Sequence, residues 1–235
     1  TWNELLNKIT FGIFKRVNLR YEAKGEDATS LLTYAYYVTN EINQLSEAAL
    51  DDAEFVAEEP EVSPESRVVV YAKISDYAGN YIYRQSDGAI LDTKKPIVTL
   101  TPAEANENGV YDGDVTVNVE VTDPGIYSGI KSVSYRVEKD GQPTQKGSLY
   151  SFEKTEASYN ELVPALNSAD ANSELPQITV KAADNNSSDV KIFVTAVDNA
   201  GNSKESCISL DIDITSPTIE VSFGENEPVN GKYFR

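Results

Sequence analysis

The chain has no histidine, no methionine and a single cysteine in 235 residues. Without histidine, imidazole acid–base catalysis and His-ligated zinc are excluded. Cys207 has no partner for an internal disulfide, and the apolar register through Ile208 and Leu210 turns it outward. Basic residues are scarce, 20 against 38 acidic, for a net charge of −18. That sign of charge opposes binding to nucleic acid or to an anionic membrane. No apolar run approaches the ~20 residues of a membrane span, and no signal peptide is visible. Direct membrane insertion is therefore not expected of this stretch. Lacking an initiator methionine, it reads as a mature or excised product whose targeting and anchoring signals lie elsewhere. Gly-x-Ser-x-Gly, phosphate-loop and metalloprotease motifs are all missing. The acidic pairs Glu58/Glu59, Asp51/Asp52 and Asp211/Asp213 fall in exposed loops or on an outward strand face. Glycosidase carboxylates must instead flank a cleft. These absences point to a protein that is not an enzyme.

What the sequence does have is a repeat. Val68–Ser75 leads into Asp76-Tyr77-Ala78-Gly79-Asn80, then Leu91-Asp92 and Pro96. Val190–Val197 leads into Asp198-Asn199-Ala200-Gly201-Asn202, then Ile208–Ile214 and Pro217. Asp76 and Asp198 are 122 positions apart, and Pro96 and Pro217 are 121 apart. Upstream, Leu31, Tyr34, Tyr36 and Val38 recur as Ile130, Val133, Tyr135 and Val137 at a constant spacing of 99. A period of this size marks a tandem domain array. Alternating apolar residues are clearest at Val115, Val117, Val119 and Val121. With frequent Gly and Asn turn signals they indicate about seven strands per unit.

The expected fold is all-β: tandem immunoglobulin-like β-sandwiches with a short helical insert in the first domain. Three units are expected. Residues 1–95 form a sandwich lacking its first strand, with the helix near 44–54 capped by Ser46. Residues 96–216 form a second sandwich with a long insert at 139–189, holding strands near Ser148–Phe152 and Ile178–Ala182 and a helical turn near Tyr159–Leu166. Residues 217–235 begin a third. Val17–Ala23 alternates like a half-buried strand, and Thr218–Phe223 is expected to pair with a sheet edge.

With these residues in hand, the chain resembles the bacterial Ig-like repeats of large cell-surface proteins of Gram-positive, gut Firmicutes-type bacteria. The carriers are Val194–Asn202 followed by Asp213-Ile-Thr-Ser-Pro217, and Asp76–Asn80 followed by Asp92-Thr-Lys-Lys-Pro96. The opening Thr1–Phe14 is similar to the start of such repeats. The resemblance implies an extracellular, cell-surface or cell-wall location. It also implies a role in adhesion or in binding a host protein such as immunoglobulin or a mucosal glycoprotein. Two alternatives stay open: a semi-rigid stalk with no ligand of its own, and an accessory module of an exported carbohydrate-active enzyme.

Two sets of residues are candidates for function. Tyr37, Tyr71 and Tyr83 are placed by alternation on the outer face of one sheet, with Tyr81 beside Tyr83 on the partner strand, and all four are candidate ligand contacts, since exposed tyrosines favour protein or glycan contact. The other reading of this face is packing beneath the helical insert. Asp76, Asp92, Asp198 and Asp213 fall at strand ends where successive sandwiches would meet, with Asp123 and Asp211 nearby. Loop carboxylates there could hold calcium and stiffen the array, a device of some related surface repeats. The bland reading is that Asp-x-Ala-Gly-Asn is a hairpin turn. By position Asp123 falls opposite Lys24 or Gly25, so the ligand set is not expected to repeat. The short linkers Thr93–Pro96 and Thr215–Pro217 are expected to limit bending.

Overall fold

A computed structural model describes residues 2–3, 9, 11–41, 43–126, 128–152 and 175–220. In the first unit the strands are β1 (Trp2–Asn3), β2 (Phe11–Lys15), β3 (Leu19–Arg20), β4 (Leu32–Thr39), β5 (Glu61–Val62), β6 (Ser66–Asp76), β7 (Tyr81–Ser86) and β8 (Gly88–Leu91). Helix α1 (Glu47–Asp51) lies between β4 and β5. The second unit holds β9 (Ile97–Pro102), β10 (Val115–Thr122), β11 (Ile130–Lys139), β12 (Gln142–Ser151), β13 (Ile178–Val180), β14 (Ser187–Asp198) and β15 (Ser203–Ile212). The chain is nearly all β.

β6 is the spine of the first unit. It pairs antiparallel with β4 on one side, and with β7 and then β8 on the other. β2 runs parallel to β8. Gly88 permits this approach, because a Cβ there would lie 2.4 Å from the Phe11 ring. The second unit is a sandwich of a three-stranded sheet, β13-β10-β9, and a four-stranded sheet, β12-β11-β14-β15. Its core is the alternation read from sequence: Val115, Val117, Val119 and Val121 face Val133, Val137, Ile192, Val194 and Leu210. The clusters of the first unit form separately, around Val70 and Leu91 on one face of β6 and around Val69 and Tyr71 on the other.

Both Asp-x-Ala-Gly-Asn stretches are hairpin corners. Gly79 has φ +93° and Gly201 has φ +88°, backbone that a side chain would strain. α1 forms where helix formers and a cap coincide, with Ser46 Oγ accepting the Ala49 amide at 3.2 Å. Leu50 anchors it and is fully buried.

Three expectations change. Of Val17–Ala23, only Leu19–Arg20 is strand, because its partner β5 is two residues long. Thr218–Glu220 is exposed coil and makes no ladder, and 221–223 lie outside the described residues. In the insert at 139–189, β12 starts at Gln142, well before Ser148. The helical turn expected at 159–166 also lies outside the described residues.

Candidate functional site

The tyrosine face is covered. Tyr71 has no exposed surface and Tyr83 only 6%. The Leu45 amide donates to Tyr71 Oη at 3.0 Å. Phe55 lies between Tyr37 and Tyr83, with ring centroids 5.9 and 5.5 Å away. Tyr83 and Tyr81 both donate to Asp51 Oδ1, at 2.8 and 3.1 Å. Those two hydroxyls hold the Asp51 carboxyl below its ordinary range, and burial with Asp51 pushes the Tyr83 phenol up. Tyr37, Tyr71 and Tyr83 therefore serve the packing of the insert onto the sheet. Tyr81 alone of the four stays well exposed, at 46%.

The aspartates divide differently. Asp92 directly follows β8, Asp123 follows β10, and Asp198 ends β14. All three are buried, and one carboxylate oxygen of each lies within 4.8 Å of the others. The site thus spans the junction between the two units. Asp76 and Asp213, also expected as ligands, lie outside this group; Asp76 is half-buried and Asp213 exposed.

Each carboxylate is held by neutral donors. Asp198 Oδ1 accepts the Asn202 amide and Oδ2 the Asn202 side chain, both at 2.8 Å. Asn202 Nδ2 also donates to the Asp92 carbonyl at 3.0 Å, tying the hairpin corner of one unit to the linker of the other. Asp92 Oδ1 accepts the Lys94 amide at 2.9 Å, and Oδ2 the Ser128 amide at 3.0 Å. Asp123 Oδ2 accepts the Gly129 amide at 2.7 Å. Asp123 Oδ1 is buried and has no hydrogen-bond partner among the described residues. No basic side chain forms an ion pair with any of the three, again among the described residues.

Three like charges this close repel strongly. At an effective dielectric of ~20, each pair at this separation costs roughly 3–4 kcal/mol. Burial, with the neighbouring Asp92 charge next in weight, pushes the Asp123 carboxyl up to about 7. Burial also raises Asp92 and Asp198, against the pull of their hydrogen bonds. Either a proton or a cation must settle this cluster. An orphaned buried carboxylate oxygen beside two more carboxylates is a hard-oxygen donor set that fits a divalent ion such as calcium.

The junction has further ties. Glu65, at φ +61°, accepts hydrogen bonds from the Thr93 amide and hydroxyl. Ile126 and Phe152 of the second unit pack against the Tyr71–Ile90 cluster of the first.

No family model matches the chain, and no curated protein does. Among solved structures, the Clostridium thermocellum CbhA fibronectin(III)-like modules are similar. They share 14% identity over 94% of this chain and 99% of that chain, with a TM-score of 0.31. So loose a superposition carries no argument, and the fold rests on the strand pairings above.

Proposed function

We propose that this chain is a non-enzymatic stretch of a tandem β-sandwich array on an exported bacterial surface protein. Its Asp92–Asp123–Asp198 junction binds calcium and sets the angle between successive domains. The observation that carries this reading is the buried Asp123 Oδ1, without a hydrogen-bond partner among the described residues and flanked by a carboxylate from each side of the junction. Bound there, calcium would supply the missing positive charge and crosslink the linker to two loops of the next unit. The stalk role is favoured over host-protein binding because the tyrosines that suggested a ligand face hold the insert instead. A host-protein ligand such as immunoglobulin would have to use other surfaces, Tyr81 among them. The likeness of the repeats to those of Gram-positive surface proteins supports the extracellular placement.

Calorimetric titration of the chelator-treated chain tests this. One calcium site is expected, with a dissociation constant on the order of 10⁻⁴ to 10⁻³ M, the range of extracellular modules. Asp123→Asn, which keeps shape and removes charge, should weaken it at least about tenfold, a loss of roughly 1.4 kcal/mol. Absence of binding at millimolar calcium, or equal binding by the variant, would overturn the assignment.

A further inference from the structure

Strand β4 has one edge that the described residues leave largely open. Its other edge pairs with β6 along the whole length from Leu32 to Thr39. On the open side only Tyr36 is engaged, exchanging both backbone hydrogen bonds with Val56 at 2.7 and 2.9 Å. The insert then leaves β4 for the opposite layer. There the Pro60 carbonyl accepts the Tyr21 amide at 3.1 Å, and β5 pairs with β3. Backbone groups alternate in direction along a strand, so those of Leu32 and Tyr34 point the same way as those of Tyr36. No described residue pairs with them.

The second unit shows what such an edge accepts. The spacing of 99 aligns Tyr34 with Val133. There β12 fills the place, with Ser132, Val133 and Ser134 paired to Ser151, Tyr150 and Ser148. Among the described residues β12 is itself outermost, and it carries devices that blunt an edge: Pro143, Lys146 and two register irregularities. β4 carries none of them. It has no charged residue, no proline and an unbroken register.

The space beside it is shaped by the tyrosines of β4. The Gly25 amide donates to Tyr34 Oη and the Ala23 amide to Tyr36 Oη, both at 2.9 Å. These bonds fix one wall of a groove of about 820 Å³, whose other wall includes Ala57 and Glu59. Its rim is acidic: Glu22, Glu26 and Glu59 stand against Lys24, which is ion-paired with Glu22 at 3.1 Å. Glu26 and Glu59 have no ion pair among the described residues.

We infer that the Leu32–Tyr34 edge is a docking site for an extended, lysine- or arginine-bearing segment of another protein. The segment adds to the sheet antiparallel to β4, as β12 does to β11. Main-chain bonds to Leu32 and Tyr34 hold it, and basic side chains at alternate positions face Glu26 and Glu59. Charge decides the occupant. A second copy of this chain, at net −18, meets its own sign of charge at this rim.

The test is an amide NMR titration of the full chain with a capped six-residue peptide of alternating lysine and threonine, taken to millimolar concentration. The amides of Leu32 and Tyr34 should shift and gain protection from hydrogen exchange, with those of Ala23 and Gly25 shifting beside them. Two versions of the peptide, N-methylated at every second residue in either phase, separate strand addition from charge. The version whose blocked amides face β4 should bind about fivefold more weakly or worse, and the other as before. Leu32→Pro removes one outward donor and no bond to β6, so it should also cost about fivefold. Glu26→Gln with Glu59→Gln should cost about two- to fivefold. The matching glutamate–threonine peptide should not bind. If both N-methylated versions bind as the parent does, charge alone holds the peptide and strand addition is overturned. Equal binding of the glutamate peptide overturns the cationic partner. Shifts that cluster away from β4, or none at all, overturn the site.

Discussion

Asp123 is where the residue scale matters most. In the chelated chain its carboxyl titrates at about 7, against 3.8 for an ordinary aspartate. Between those values the folded chain holds a proton that the unfolded chain has lost. Stability must then fall as pH rises through this window. The drop is on the order of 3 kcal/mol, read as a falling melting temperature in chelator between about pH 4 and 7. Calcium should flatten the profile by replacing the proton. The same logic reverses the usual sign of a buried substitution. Asp123→Asn should raise the melting temperature in chelator by about 2–4 °C while removing the gain from calcium. A variant destabilised in both conditions would show that Asp123 is held for its hydrogen bond to Gly129 and not for its charge. Asp92 and Asp198 could be named from sequence because a hairpin motif and a linker motif fix their places. Asp123 lies in the loop after β10, where no motif marks it and the repeat spacing sets it opposite Lys24, so the sequence pattern does not single it out.

At the scale of elements, the insert between β4 and β5 decides what the first sheet can do. β6 is buried on both faces, Val70 and Ala72 toward one cluster and Val69 and Tyr71 toward the other. Alternation correctly set Tyr71 opposite Val70, since a strand's period of two separates its faces. It could not say whether water or a helix lies over the second face, because that depends on residues about 25 positions away. α1 is one short turn held by Leu50. Leu50→Ala should cost about 2–4 kcal/mol, the range for a buried leucine that leaves a cavity. The loss should be local: Tyr71 and Tyr83 should become accessible to nitration, while β14 and β15 keep their hydrogen-exchange protection. Uniform loss of protection across both units would show that the insert props the whole molecule and not one face. The strands themselves were legible wherever one face meets a core, as in β10, and illegible where a strand is only a two-residue bridge, as in β3.

For the molecule as a whole, the question is how far one unit can swing against the other. The linker from Asp92 to Pro96 is short, and proline fixes its last φ. Glu65 holds Thr93 at its start, and Ile126 and Phe152 give the junction an apolar contact that needs no ion. Chelation should therefore loosen the pair without freeing it. Small-angle scattering of the chain should report a narrower spread of maximum dimension in calcium than in chelator. Asp123→Asn should give the chelator profile in both conditions. Charge adds to the effect. At a net −18 the two units repel through solvent, and screening weakens this over a Debye length of about 8 Å at physiological salt. Added sodium chloride would compact a chain that responds to general repulsion, whereas only a divalent ion would act through the three carboxylates. Matching the ionic strength of the two samples separates the causes. Identical profiles under that match would leave the junction a fixed apolar joint, with its aspartates neutralised by protons alone.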